Sequence, residues 1–208
     1  MTRAVVLLSG GLDSTTLLYW TLKQGIGPYV LSFDYGQRHK KELTFAKKTC
    51  GKLKADHRTI DLNSLSGLLS GSALTTESIK IPEEHYTHES QKVTVVPNRN
   101  AIMLNIAVGY AISIGADKVF YAAHYNDRTI YPDCRWEFIQ SQSLTAKIAN
   151  DMPELEIKAP FVHKTKAEIV KLADELKVPF EDTWSCYKGG EKACGVCGTC
   201  RERIEAFQ

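Results

Sequence analysis

Ala4-Val5-Val6-Leu7-Leu8-Ser9-Gly10-Gly11-Leu12-Asp13-Ser14-Thr15 is the stretch that decides the fold class. Residues 4–8 form an apolar run of strand length, bounded at once by turn residues. Two glycines follow, and then Asp13 and Ser14 sit where a helix would begin. Glycine lets backbone N–H groups approach an anion closely and permits unusual dihedrals. The helix start adds about half a positive charge. Ser9, Ser14 and Thr15 offer hydroxyl donors to phosphate oxygens, and Asp13 can cap the helix or help hold a magnesium ion. No lysine is present, so this is not the G-x-x-x-x-G-K-[ST] loop. A plain strand-to-helix turn would need the glycines and a cap, but not Asp-Ser at this spacing. The expected nucleotide contacts run from Leu8, Ser9, Gly10, Gly11 and Leu12 through Asp13, Ser14 and Thr15 to Thr16, Leu17 and Leu18.

Outward from this loop, strands and helices alternate. A helix over about residues 13–24 ends at Gly25-Ile26-Gly27-Pro28, and residues 29–33 read as a second strand. Leu43, Ala46, Cys50 and Leu53 share one helix face, which makes Cys50 a core residue. Residues 57–62 read as a third strand, residues 63–97 as a long irregular stretch, and Asn98-Arg99-Asn100 opens an apolar helix through Ile114. Residues 118–122 read as a fourth strand and residues 156–159 as a fifth, with a helix between them. Thr165-Lys166-Ala167-Glu168 is a capping box that starts one more helix. The alternation predicts an α/β fold, a parallel sheet covered by helices on both faces. Its ligand should lie at the carboxyl ends of the strands. Residues 9–14, 34–39, 63–99 and 123–135 are therefore expected to carry the chemistry. Among them, Arg38 can pair with a phosphate or carboxylate through its planar fork, and His39 can donate to phosphate or move a proton. A polar capping loop is the plainer reading of this pair.

Charge and cysteines narrow the partners. Twenty-six basic against 24 acidic residues, with no block of one sign, advertise neither a nucleic-acid nor a membrane surface. A small charged metabolite is the more natural partner, and a cytoplasmic location is expected. The 208 residues suit an ATP-binding domain over residues 1–180 and a cysteine-rich tail over residues 181–208 packed on it. In that tail Cys186, Cys194, Cys197 and Cys200 read C-x7-C-x2-C-x2-C, four thiolates that can close a tetrahedral zinc site. Gly195 and Gly198 would supply tight turns, and Lys188, Lys192 and Arg201 would offset the sulfur charge. Iron–sulfur ligation is the rival, but a closed structural site needs no redox role.

The Ser-Gly-Gly-x-Asp-Ser loop resembles that of PP-loop ATP pyrophosphatases, adenine-nucleotide α-hydrolase-like enzymes that adenylate a substrate oxygen and release pyrophosphate. Gln37-Arg38-His39, Arg99-Asn100, Tyr131-Pro132-Asp133-Cys134-Arg135 and the four-cysteine tail are more specific. Together they resemble the 7-cyano-7-deazaguanine (preQ0) synthase family, across essentially the whole chain. The resemblance implies a ligase that converts 7-carboxy-7-deazaguanine and ammonia to the 7-cyano base at the expense of ATP. The carboxylate is adenylated, ammonia gives an amide, and a second activation of the amide leaves the nitrile. It also implies magnesium, a structural zinc, a homodimer and a place in queuosine biosynthesis.

Asp13, Ser14, Arg38, His39 and Arg99 are the expected catalytic group. Arg99, Asn100, Asp127, Tyr131, Asp133 and Arg135 are the expected substrate contacts: carboxylates for an exocyclic amine, arginines for the carboxylate, a tyrosine to stack on the base. Tyr131-Pro132 also reads as a rigid turn and Asp133 as the N-cap of the next helix. Cys134 as a nucleophile is not required by adenylation. The loop His124-Tyr125-Asn126-Asp127-Arg128-Thr129-Ile130 and Val96-Pro97-Asn98 depart from the family pattern. That keeps open an enzyme that stops at the amide, passes the activated base to another acceptor, or modifies tRNA.

Overall fold

The computed structural model describes residues 2–208. Five strands, β1 (Arg3–Leu7), β2 (Gly27–Asp34), β3 (Asp56–Asp61), β4 (Lys118–Phe120) and β5 (Glu156–Lys158), form one sheet in the order β3-β2-β1-β4-β5, with every pair parallel. The helices are α1 (Leu12–Lys23), α2 (Lys41–Leu53), α3 (Arg99–Ser113), α4 (Trp136–Asn150), α5 (Lys166–Glu175) and α6 (Gly198–Ala206). The expected parallel α/β sheet is present, and element ends shift by a residue or two.

Strand alternation sorts the core into two faces. Val5 points with Leu31, Val119 and Ile157 to the side covered by α3 and α4, which contribute Leu104, Ala107 and Ile139. Ala4 and Val6 point the other way, to Leu17 of α1 and Ile169 of α5, while Leu8, Leu18 and Val30 meet Ala46 and Cys50 of α2. Cys50 is thus core packing, as its helix face predicted. The chain leaves β1 toward β2 on one face and returns from β3 to β4 on the other. The strand order therefore reverses between β1 and β4, and a crevice opens outside their carboxyl ends.

The three helix-start signals behave differently. The capping box at α5 forms as written: Thr165 Oγ1 accepts from the Glu168 N–H, and Glu168 accepts from the Thr165 N–H at 2.7 Å. Asn98 instead takes a left-handed φ of 55° and turns the chain so that Arg99 begins α3. Asp133 is not the N-cap of α4: Arg135 holds that position, without a side-chain cap. Residues 63–97 contain two short 3-10 turns, Asn63–Leu65 and Glu89–Thr94, and bury Leu69, Leu74, Ile81 and Tyr86. The tail also folds: Asp182 is buried against Lys48 and Lys52 of α2, and α6 packs on α5.

Candidate active site and metal centre

A cavity of about 260 Å³ lies in the crevice outside β1 and β4. The loop after β1 supplies Ser9, Gly11, Asp13 and Ser14 to its wall. The hydroxyls of Ser9 and Ser14 are 3.0 Å apart, and the Gly11 N–H is turned in to Ser9 Oγ at 3.1 Å. Gly10 has φ of 94°, and a Cβ there would fall 2.0 Å from the Glu42 carbonyl oxygen of α2. The loop can lie against the first turn of α2 only because this residue has no side chain. Leu12, Leu17 and Leu18 pack in the core, and Thr15 and Thr16 are fully buried, so the side chains of this half of the expected nucleotide set do not line the cavity.

Asp13 is the electrostatic centre. Its Oδ2 accepts from Lys166 Nζ at 2.6 Å, and His124 Nε2 is 3.7 Å away. Burial works against the Asp13 charge, but Lys166 and then His124 outweigh it and hold the carboxyl below its usual value. Lys166 is itself buried, 3.5 Å from Glu202 of α6. Its burial disfavours the charge, yet Asp13 and Glu202 raise its pKa above that of an ordinary lysine. Burial also raises the Glu202 carboxyl, with Lys166 opposing. Asp13 Oδ1 and Glu202 Oε1 are buried without hydrogen-bond partners among the described residues. Sequence reasoning missed Lys166 and Glu202, because one looked like part of a capping box and the other like an ordinary residue of the tail.

Of the expected substrate contacts, Arg99, Asn100, Asp127 and Tyr131 reach the cavity. Arg99 donates to Tyr35 Oη at 3.1 Å, and among the described residues no carboxylate lies within 4.0 Å of its nitrogens. Asp127 accepts from Tyr86 Oη at 2.8 Å and from the His124 N–H at 3.0 Å. Tyr131, Thr94 and Tyr187 join through their hydroxyls, at 2.7 and 3.1 Å. Residues 63–97 thus furnish Leu74 and Tyr86 to the cavity wall.

Asp133 and Arg135 do not line the cavity. The Asp133 carbonyl accepts from Tyr121, and the exposed Arg135 donates to the Arg128 carbonyl at 2.9 Å. Arg38 is spent on the carbonyls of Ala73 and Ile79 and lines a neighbouring cleft instead. His39 lies between the two, and burial lowers its pKa, with Cys197 opposing and Arg38 reinforcing the shift. Cys134 is buried beside Asn100 Nδ2 at 3.6 Å, and burial raises its thiol, which removes the thiolate a nucleophile needs.

The four tail sulfurs lie within 4.8 Å of one another, three of the cysteines are buried and Cys194 is half-buried. Cys194 and Cys200 sulfurs are 3.9 Å apart, close to the roughly 3.8 Å edge of a tetrahedron with metal–sulfur bonds of about 2.3 Å. The backbone N–H groups of Cys194 and Cys197 point at Cys186 and Cys194 sulfurs, 3.4 and 3.3 Å away. Hydrogen bonding from Cys200 lowers the pKa of the Cys197 thiol and favours its thiolate. This donor set fits a metal. Gly195 makes a turn with φ of 72°, whereas Gly198 is small for another reason: a Cβ there would press on the buried Gln91 side chain at 2.9 Å. The segment that carries the four cysteines is part of the site wall, since Trp184, Ser185, Tyr187, Thr199 and Glu202 line the cavity and the Trp184 N–H donates to the Gly10 carbonyl at 2.9 Å.

Comparison with known proteins identifies the family and the fold. The family model described as "Queuosine biosynthesis protein QueC" matches residues 3–208. A 7-cyano-7-deazaguanine synthase of Caldicellulosiruptor saccharolyticus is 54% identical over 206 residues, covering 99% of this chain and 91% of its own. One from Archaeoglobus fulgidus is 50% identical, with 99% and 85% covered. Among solved structures, NMN synthetase from Francisella tularensis superposes with a TM-score of 0.56 at 16% identity, over 91% of this chain and 68% of that one. The NH3-dependent NAD synthetase from Campylobacter jejuni gives 0.53 at 17%, over 87% and 66%. Both show a shared fold.

Proposed function

The chain belongs to the queuosine biosynthesis protein QueC family, and from that premise we propose that it makes 7-cyano-7-deazaguanine from 7-carboxy-7-deazaguanine, ammonia and ATP. The observation that carries the reading is the shared cavity: the Ser9–Ser14 loop and the Arg99 guanidinium, which has no carboxylate within 4.0 Å among the described residues, face one space. A half-buried guanidinium without an ion-pair partner at contact distance is free to meet the anion of a ligand through its planar fork. Arg99 holds the substrate carboxylate, and the loop N–H groups with Ser9 and Ser14 hold the leaving pyrophosphate. Lys166 brings to the phosphates the positive charge that the loop lacks. Asp127, fixed by Tyr86, accepts from the exocyclic amine of the base, and Tyr131 lies against its ring. The activation runs once on the carboxylate and once on the amide.

Magnesium fits the unpartnered Asp13 Oδ1, a hard oxygen donor, and would neutralise phosphate charge. Zinc fits the four thiolates and would hold the tail against the cavity rather than act in the reaction. Residues 181–208 are thus a metal-held wall on the ATP-binding domain. No described helix is long and apolar enough to cross a membrane. With six free cysteines, this suits a cytoplasmic enzyme. Trp136, Leu144 and Ile148 leave an exposed apolar stripe on α4, the face a second copy would cover in a homodimer. The test of the reaction class is release of AMP and pyrophosphate from ATP, which should depend on the carboxylated deazaguanine. Hydrolysis independent of that base would refute it.

A further inference from the structure

One carboxylate in the cavity is left without a task by this assignment. Asp13, Asp127 and Glu202 are engaged with Lys166, His124 and Tyr86. Among the described residues Glu42 has no ion-pair partner within 4.0 Å, yet it lines the same cavity from the first turn of α2. Its position is fixed by its own backbone: the Glu42 carbonyl is the atom that a Cβ on Gly10 would strike. The side chain therefore starts from backbone that lies against the phosphate loop, and it lines the same cavity as Ser9, Asp13 and Ser14. The charge that bears on it comes from Arg99 of α3, and its other neighbours are Gln37 and Tyr35 from the end of β2. His39 and Asp13 line the cavity with it. Burial pushes the Glu42 carboxyl up to about 7, against the opposing pull of Arg99 and Gln37. A group near neutrality can accept a proton and release it again at working pH.

We propose that Glu42 is the general base for the amine: it draws ammonium into the cavity and takes one proton from it beside the activated carboxylate. This rests on the adenylation reading above. Ammonium gives a proton to the Glu42 carboxylate, leaving ammonia and a carboxylic acid. The nitrogen lone pair forms a C–N bond to the carbonyl carbon of the acyl adenylate. The C–O bond to the phosphate breaks, AMP departs with that electron pair, and the surplus proton on nitrogen passes to solvent. Glu42 then returns its own proton to solvent.

The test compares the unaltered enzyme with Glu42→Gln and Glu42→Asp. Exchange of labelled pyrophosphate into ATP, which precedes the amine step, should persist in Glu42→Gln when the carboxylate substrate is present. Amide formation from ammonium at pH 7 should fall by about a hundredfold, the range for loss of a general base. The deficit should narrow as pH rises toward the pKa of ammonium, because ammonia is then supplied without a base, and Glu42→Asp should recover part of the rate. An unchanged amide rate, a deficit that does not vary with pH, or loss of exchange in Glu42→Gln would each overturn the proposal. Absence of exchange in the unaltered enzyme would instead remove the adenylation reading.

Discussion

Lys166 Nζ lies 2.6 Å from Asp13 Oδ2, joining the amino end of α5 to the phosphate loop across 153 positions of sequence. Glu202, 3.5 Å away, ties the same side chain to the cysteine-rich tail. Lys166→Met leaves two carboxylates, buried or nearly so, without their cation. Breaking a buried pair in this way costs about 3 kcal/mol. Chemical denaturation at pH 7 should show that loss, with ATP turnover abolished.

The same pair sets an acid limb in the stability profile. The folded Asp13 carboxyl lies below its ordinary 3.8, so the folded state binds fewer protons there than the unfolded chain. Its contribution is complete above about pH 4 and disappears as pH falls through the lowered folded value. In Asp13→Asn this limb should flatten in acid denaturation curves, and turnover should be lost while the fold persists.

Arg99→Lys keeps the charge but loses the planar fork that can meet a carboxylate at two points. The expected outcome is a drop in kcat/KM for the carboxylated base of about a hundredfold, with ATP binding retained in equilibrium titration. Retained kcat/KM would mean that another group holds the carboxylate.

Cys197→Ser should lose the metal, measured as metal per chain by elemental analysis. It should also raise the KM for ATP, because Trp184, Tyr187 and Glu202 belong to the cavity wall. If the metal is only a distant staple, stability falls but KM does not move.

Gly10→Ala places a Cβ 2.0 Å from the Glu42 carbonyl on a backbone with φ of 94°. The rigid contact and the left-handed dihedral together should cost a few kcal/mol. Thermal unfolding of Gly10→Ala against Gly11→Ala, where the nearest atom is Ser9 Oγ at 3.2 Å, checks this.

Local pattern made much of this legible. The run at residues 4–8, the glycine turn and the capping box at Thr165 are short-range signals, and each of those elements is present. The cysteine spacing likewise brings four sulfurs together, because the ligands are close in sequence. What escaped is what the tertiary fold alone decides. Lys166 and Glu202 become a charge cluster only when α5 packs on α1 and α6 on α5. Arg135 and Asp133 sit in the most distinctive motif, yet neither lines the cavity, while Tyr131 and Cys134 of the same motif do. Residues 63–97 lack helical or strand periodicity, so nothing local showed that Tyr86 would fix Asp127.

The central claim is tested most directly by incubating the protein with 7-carboxy-7-deazaguanine, ammonium, ATP and magnesium and weighing the modified base. The account predicts the 7-cyano base, with a transient amide that gains one nitrogen from labelled ammonium. An unaltered carboxylate, or an amide that accumulates without conversion, would contradict it.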